Sequence, residues 1–204
     1  WRAVPIAARM AAAVDGKLEL VTVVDRIGMV GTMEHELTAG LERVQPLPVD
    51  ARVEVIAGDT AAEALAEFVE ERNGAMVVMS SHGHGRSASV LGSTVDELLR
   101  AIFGPIVVIG PKVGDDAGRV DGRYLVPLDG SPHGDAILPI ASAWTVEFGG
   151  EPWLIEVLES QATSTADYTE SAYPPRRARK LTQETGHEFE FDVLHGSRPG
   201  TAVT

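Results

Sequence analysis

Short apolar runs separated by longer amphipathic stretches set the pattern of this chain. Met76 to Met79 and Ile106 to Ile109 are uninterrupted runs of the kind that a parallel sheet buries on both faces. Leu18 to Val24 and Arg52 to Ala57 read as two further strands. Apolar residues at helical spacing predict helices over Arg2 to Val14, near Met33 to Arg43, and over Ala61 to Arg72. The last of these is well signed: Thr60 and Glu63 form a capping box ahead of Leu65, Phe68 and Val69, and Asn73-Gly74 ends it. Another helix is expected after Gly92, with Ser93 as its cap and Asp96 completing a capping box. Leu98, Leu99 and Ile102 supply its buried stripe, and Gly104-Pro105 stops it. Strand and helix alternate, which predicts an α/β fold with a doubly wound parallel sheet.

Between the runs at 76 and 106 lies the strongest candidate chemistry. Ser80 to Gly85 is small and polar, so its backbone can approach a ligand closely. Gly92-Ser93-Thr94 opens a helix whose first N–H groups lack intrahelical acceptors and suit an anion. A tight turn serving only chain reversal accounts for the same residues equally well.

The chain also repeats itself. Val4-Pro5-Ile6-Ala7 parallels Leu138-Pro139-Ile140-Ala141, and the same offset pairs Leu20 to Asp25 with Leu154 to Glu159. Val55 to Asp59 parallels Val193 to Ser197. Two copies of one domain are therefore expected, over residues 1–112 and 123–204, joined by a Gly- and Asp-rich linker at 113–122. The first copy is expected to lack its opening strand, and the second its phosphate loop and closing strand.

The stretch SSHGHGRSASVLGS, followed by a helix and GPIVVIGP, resembles the signature end of the universal stress protein family. Nucleotide-binding members of that family carry Gly-x2-Gly-x9-Gly-Ser/Thr at this point. Ser80 stands in place of the first glycine, Gly83 matches the second, and Gly92-Ser93 matches the final pair after eight intervening residues instead of nine. The resemblance implies two tandem Rossmann-like domains, both incomplete, and ATP, with or without Mg, as a regulatory ligand in stress response. It further implies that Ser80, Gly83, Gly92, Ser93 and Thr94 hold the phosphates and that the main chain near Val23 or Val24 faces the adenine. Tyr124 to Pro132, YLVPLDGSP, resembles the family's opening strand and acidic turn, which implies a nucleoside contact at Asp129. Read without the family, Asp129-Gly130 is equally a turn, and Ser131-Pro132 a helix cap followed by proline at the first helical position. In the intact protein each copy is expected to hold five strands, with the two copies packed as a pseudo-dimer like the homodimer of single-copy relatives.

Composition narrows these readings. A hydrophobic fraction of 44% with only 5% aromatics calls for cores of Val, Leu, Ile and Ala. The net charge of −13 argues against nucleic acid as a partner, because its phosphates would be repelled. The absence of cysteine suits a reducing cytoplasm, and no apolar run approaches membrane-spanning length. His82 and His84 form a His-x-His pair without acidic or thiol companions, so a solvated loop is favoured over a metal site. Arg86 and the cluster Arg176-Arg177-Arg179-Lys180 read most simply as solvated. No nucleophile–base–acid set can be assembled, which leaves a regulatory ATP-binding protein, a nucleotide-independent protein acting through partners, and a slow ATP-hydrolysing enzyme as the readings.

Overall fold

The computed structural model describes residues 1–44, 46–81, 92–113, 121–158 and 172–196. The chain divides into two compact units, Trp1–Arg119 and Val120–Thr204. In the first unit the order is α1 (Ala3–Ala13), β1 (Leu18–Val24), α2 (Val30–Arg43), β2 (Ala51–Ala57), α3 (Ala61–Glu70), β3 (Val77–Ser80), α4 (Ser93–Ala101) and β4 (Ile106–Ile109). A single 3₁₀ turn, Ile27–Met29, leads from β1 into α2.

Strand pairing is parallel throughout. β1 lies beside β2 from Leu18↔Ala51 to Val24↔Ala57, and β3 beside β4 from Val77↔Ile106 to Ser80↔Ile109. These are two two-stranded sheets, so β1 and β3 each keep one edge without a partner among the described residues. Helix α1 packs on both β1 and β3, α2 on β2 and β1, and α3 on β1 and α4. Ala8 and Leu98, both 0% exposed, sit at the centre of this helix cover.

The helix starts follow local chemistry, with one difference from expectation. The Thr60 hydroxyl accepts from the Glu63 amide at 3.3 Å and donates to the Glu63 carboxylate at 2.8 Å, so the cap of α3 is in place. At α4 the cap is Gly92 and not Ser93, because the Gly92 amide is already held by the Ser81 carbonyl at 3.0 Å and its backbone is extended (φ −63°, ψ 147°). Asp96 makes no capping box; its carboxylate pairs with Arg100 one turn on, at 3.0 Å.

The second unit runs β5 (Arg123–Leu128), a 3₁₀ turn at Gly134–Ile137, α5 (Leu138–Phe148), β6 (Glu151–Leu158), α6 (Tyr173–Thr185) and β7 (Glu190–His195). Its strands form one parallel sheet in the order β5-β6-β7. Val126, Leu128 and Leu154 of the sheet meet Leu138 and Ala141 of α5 and Ala178 and Leu181 of α6 in one buried cluster. The Tyr124 hydroxyl ties sheet to helix, donating to the Ala141 carbonyl at 2.6 Å while sharing a hydrogen bond with Thr145.

Leu154 is 0% exposed at the middle of that cluster. Leu154→Ala is expected to cost about 2–5 kcal/mol through lost burial and a residual cavity, read by urea unfolding. Thr60→Ala at the exposed cap of α3 should cost about 1 kcal/mol in the same assay.

Candidate functional site

In the first unit the expected phosphate residues converge on one junction. The Ser81 amide donates to the Ile109 carbonyl at 2.9 Å, and the Gly92 amide donates to the Ser81 carbonyl at 3.0 Å. The carboxyl end of β3 and the amino end of α4 are thereby clamped together, with Ser80, Gly92, Ser93 and Thr94 around the clamp. The first N–H groups of α4 have no intrahelical acceptor and carry the positive end of the helix dipole. Gly92 has negative φ, and a Cβ there would meet the Ser81 carbonyl at 3.4 Å, an ordinary contact. Backbone conformation therefore does not demand glycine at this position; a small residue here leaves room for an approaching group. Gly83, His82, His84 and Arg86 lie outside the described residues.

Successive residues of a strand turn their main-chain groups to opposite edges. Because the Val24 carbonyl accepts from the Gly58 amide at 3.0 Å, Val24 faces β2 and its carbonyl is engaged. Val23 faces the edge of β1 away from β2, and by the same alternation Ser80 faces the edge of β3 away from β4. Of the two valines, Val23 is the one whose main chain is turned outward. No hydrogen bond among the described residues joins the Val23 region to the Ser80–Thr94 junction.

In the second unit Asp129 follows β5 at the carboxyl edge of the sheet. Its Oδ1 accepts from the Ser131 amide at 2.9 Å and the Ser131 hydroxyl at 2.7 Å, while the Ser131 hydroxyl accepts from the Gly134 amide at 2.9 Å. Gly130 between them has φ +76°, where glycine carries no steric penalty. At Gly134 a Cβ would overlap the Asp129 carboxylate. The turn read from sequence exists, but the cap falls elsewhere: His133 precedes the 3₁₀ turn and Ile137 precedes α5, neither with a side-chain cap bond, because the 3₁₀ turn intervenes before the helix, and Pro139, not Pro132, occupies the first turn of α5.

Hydrogen bonds from Ser131 hold the Asp129 carboxyl below its usual range, with His133 adding a favourable charge. Nearby, Asp135 accepts from both the Tyr173 hydroxyl and Arg177, whose guanidinium lies 5.3 Å from the Tyr173 ring centre. Arg177 therefore points to a partner in its own unit, unlike the wholly solvated cluster expected from sequence; Lys180 pairs with Glu184 at 3.6 Å. Sequence reading missed Glu156, a carboxylate interrupting the apolar run of β6 and only 7% exposed. Its signal was that interruption. Among the described residues no group of three or more His, Asp or Glu is placed to hold a metal, and no helix is long and apolar enough to cross a membrane.

The lowered Asp129 pKa sets a direction for the pH response. The folded state binds this proton less readily than the unfolded chain, so the carboxylate stabilises the turn above the unfolded aspartate value of about 3.9 and loses that effect as pH falls through the folded value. Asp129→Asn should flatten the acid limb of stability against pH, and the Asp129 carboxyl resonance should titrate below the ordinary aspartate range.

Three comparisons place these elements. The family model described as "Universal stress protein family" matches residues 1–110. A solved universal stress protein from Archaeoglobus fulgidus DSM 4304 is similar in fold, with a TM-score of 0.66 at 18% identity over 99% of this chain and 76% of that one. A functionally unknown protein from Pseudomonas aeruginosa PAO1 is similar with a TM-score of 0.55 at 16% identity, over 93% of this chain and 67% of that one. No curated protein matches the sequence. With residues 1–110 carrying the family's pattern and the parallel α/β architecture following its fold, the chain belongs to the universal stress protein family.

Proposed function

We propose that the first unit binds an adenine nucleotide and that this ligand regulates the chain's part in stress response, the role its family membership supports. The observation that carries the reading is the Gly92–Ser81 clamp. It sets the amino end of α4, with its free N–H donors, against a junction where Gly92 has no side chain to obstruct an anion. Ser80, Ser93 and Thr94 add small polar groups at the same place, and the outward-facing main chain of Val23 offers a donor and an acceptor of the kind that recognises a nucleobase edge. ATP fits this donor set. Asp129 of the second unit, with one oxygen engaged by Ser131, is the corresponding nucleoside contact there.

Leu99 and Phe103 favour a second reading, in which the chain acts through protein contacts. Both are large apolar side chains left in solvent near the carboxyl end of α4, Phe103 fully so. A second copy of the same domain is the partner this reading names.

Gly92→Val tests the first reading. The backbone angles at 92 accept a side chain, so the variant should keep its thermal midpoint while ATP affinity, measured by calorimetry, falls at least tenfold, or ~1.4 kcal/mol. Unchanged ATP affinity would leave the loop as a turn. For the second reading, Phe103→Ser should shift any concentration-dependent association seen by sedimentation toward the monomer.

A further inference from the structure

We infer that Glu156 is a specificity-determining carboxylate of the second unit, accepting hydrogen bonds from the N–H or O–H groups of a nucleoside seated at the Asp129 turn. The inference rests on the nucleotide reading above and names the part of the ligand that this unit recognises. Glu156 lies in the central strand β6, between Leu128 of β5 and Val193 of β7. It is 7% exposed, and its Oε2 is buried with no hydrogen-bond partner among the described residues. Its Oε1 stands 3.5 Å from the Cβ position that Gly130 leaves empty. The carboxylate thus reaches along the strand to the Asp129-Gly130-Ser131 turn, on the edge where open parallel sheets take their ligands.

A buried carboxylate oxygen without a donor is unfavourable in a fold. A core serving stability alone would continue the aliphatic run of Leu154, Ile155, Val157 and Leu158. The terminal torsion of a glutamate is broad and two-fold, so either oxygen can turn toward a group arriving over Gly130. An ionised carboxylate accepts only. Asp129 and Glu156 flank a residue with no side chain, so together they attract donors and repel phosphate. The ligand part that fits is the amino-bearing base or the hydroxyl-bearing sugar of a nucleoside, with any phosphate directed elsewhere.

The test uses the whole chain carrying Gly92→Val, with and without Glu156→Gln, titrated calorimetrically with adenosine, 2′,3′-dideoxyadenosine and inosine. Adenosine should bind the Gly92→Val chain, and Glu156→Gln should weaken it at least about tenfold. If the sugar hydroxyls are the donors, dideoxyadenosine shows the same loss on the unsubstituted Glu156; if the amino group is the donor, inosine does. The thermal midpoint of Glu156→Gln should stay level, since Gln keeps the size and shape of the side chain. Equal adenosine affinity with Glu or Gln at 156, no adenosine binding at all, or weakened binding accompanied by a large drop in midpoint would overturn the inference. Failure of Gly92→Val to weaken ATP counts against the first unit's site alone, because the Glu156 comparison is made within one background.

Discussion

Parallel strand pairing is the constraint on which the rest of this molecule depends. Two parallel neighbours cannot be joined by a hairpin, so every connection must cross from the carboxyl end of one strand to the amino end of the next, here through a helix. The crossing collects the carboxyl ends of strands and the amino ends of helices, which are rich in unpaired donors. The Gly92–Ser81 hydrogen bond shows this arrangement in miniature. It closes the crossover from β3 to α4 and leaves the first turn of the helix directed at the strand's end. The Asp129 turn is its counterpart after β5, where a side-chain oxygen in place of a carbonyl gathers the donors.

The two units use this constraint with different electrostatics. At the junction in the first unit the polar groups are mainly main-chain donors and hydroxyls, and the one acid of the first helical turn, Asp96, is paired with Arg100. In the second unit carboxylates predominate. Asp135 is compensated by Tyr173 and Arg177, a contact that ties the 3₁₀ turn before α5 to the first turns of α6. Burial and the adjacent Asp135 raise the Tyr173 pKa, which keeps its hydroxyl a donor to that carboxylate at neutral pH. Asp129 is stabilised by Ser131, while Glu156 has one oxygen without a donor among the described residues. A protein with a net charge of −13 therefore does not repel anions uniformly, because local dipoles decide at close range what net charge decides at long range.

Much of the fold was legible because short-range patterns carried it. The strand Ile106–Ile109 occurs where a continuous apolar run predicted it, and Leu18–Val24 where a largely apolar segment broken by Glu19 and Thr22 did, because both patterns are set within a few residues. The Thr60 cap likewise depends only on residues three apart. Expectation failed where a distant group intervened. Ser93 lost the cap of α4 to Gly92 because the Ser81 carbonyl, eleven positions earlier in the chain, holds the Gly92 amide. Arg177 was read as solvated because nothing local shows that Asp135 lies within reach. The parallel α/β architecture follows the alternation of strand and helix, while the division of the first unit's described strands into two parallel pairs is a matter of strand adjacency that alternation alone does not specify.

The sequence by itself determined the alternation of strand and helix, the apolar cores, the turn at Asp129-Gly130, and the small polar residues around Ser80 and Gly92, because each depends on propensities and hydrogen bonds within a few residues. Only the tertiary structure decided which main-chain groups face outward, separating Val23 from Val24 through the engagement of one carbonyl by Gly58. It alone brought Glu156 to the Asp129 turn, since two residues 27 positions apart meet only when β5 and β6 lie side by side in register. The reason is physical: local patterns fix what each segment prefers to be, whereas pairing across strands fixes which side chains share a space and which polar atoms are left without partners.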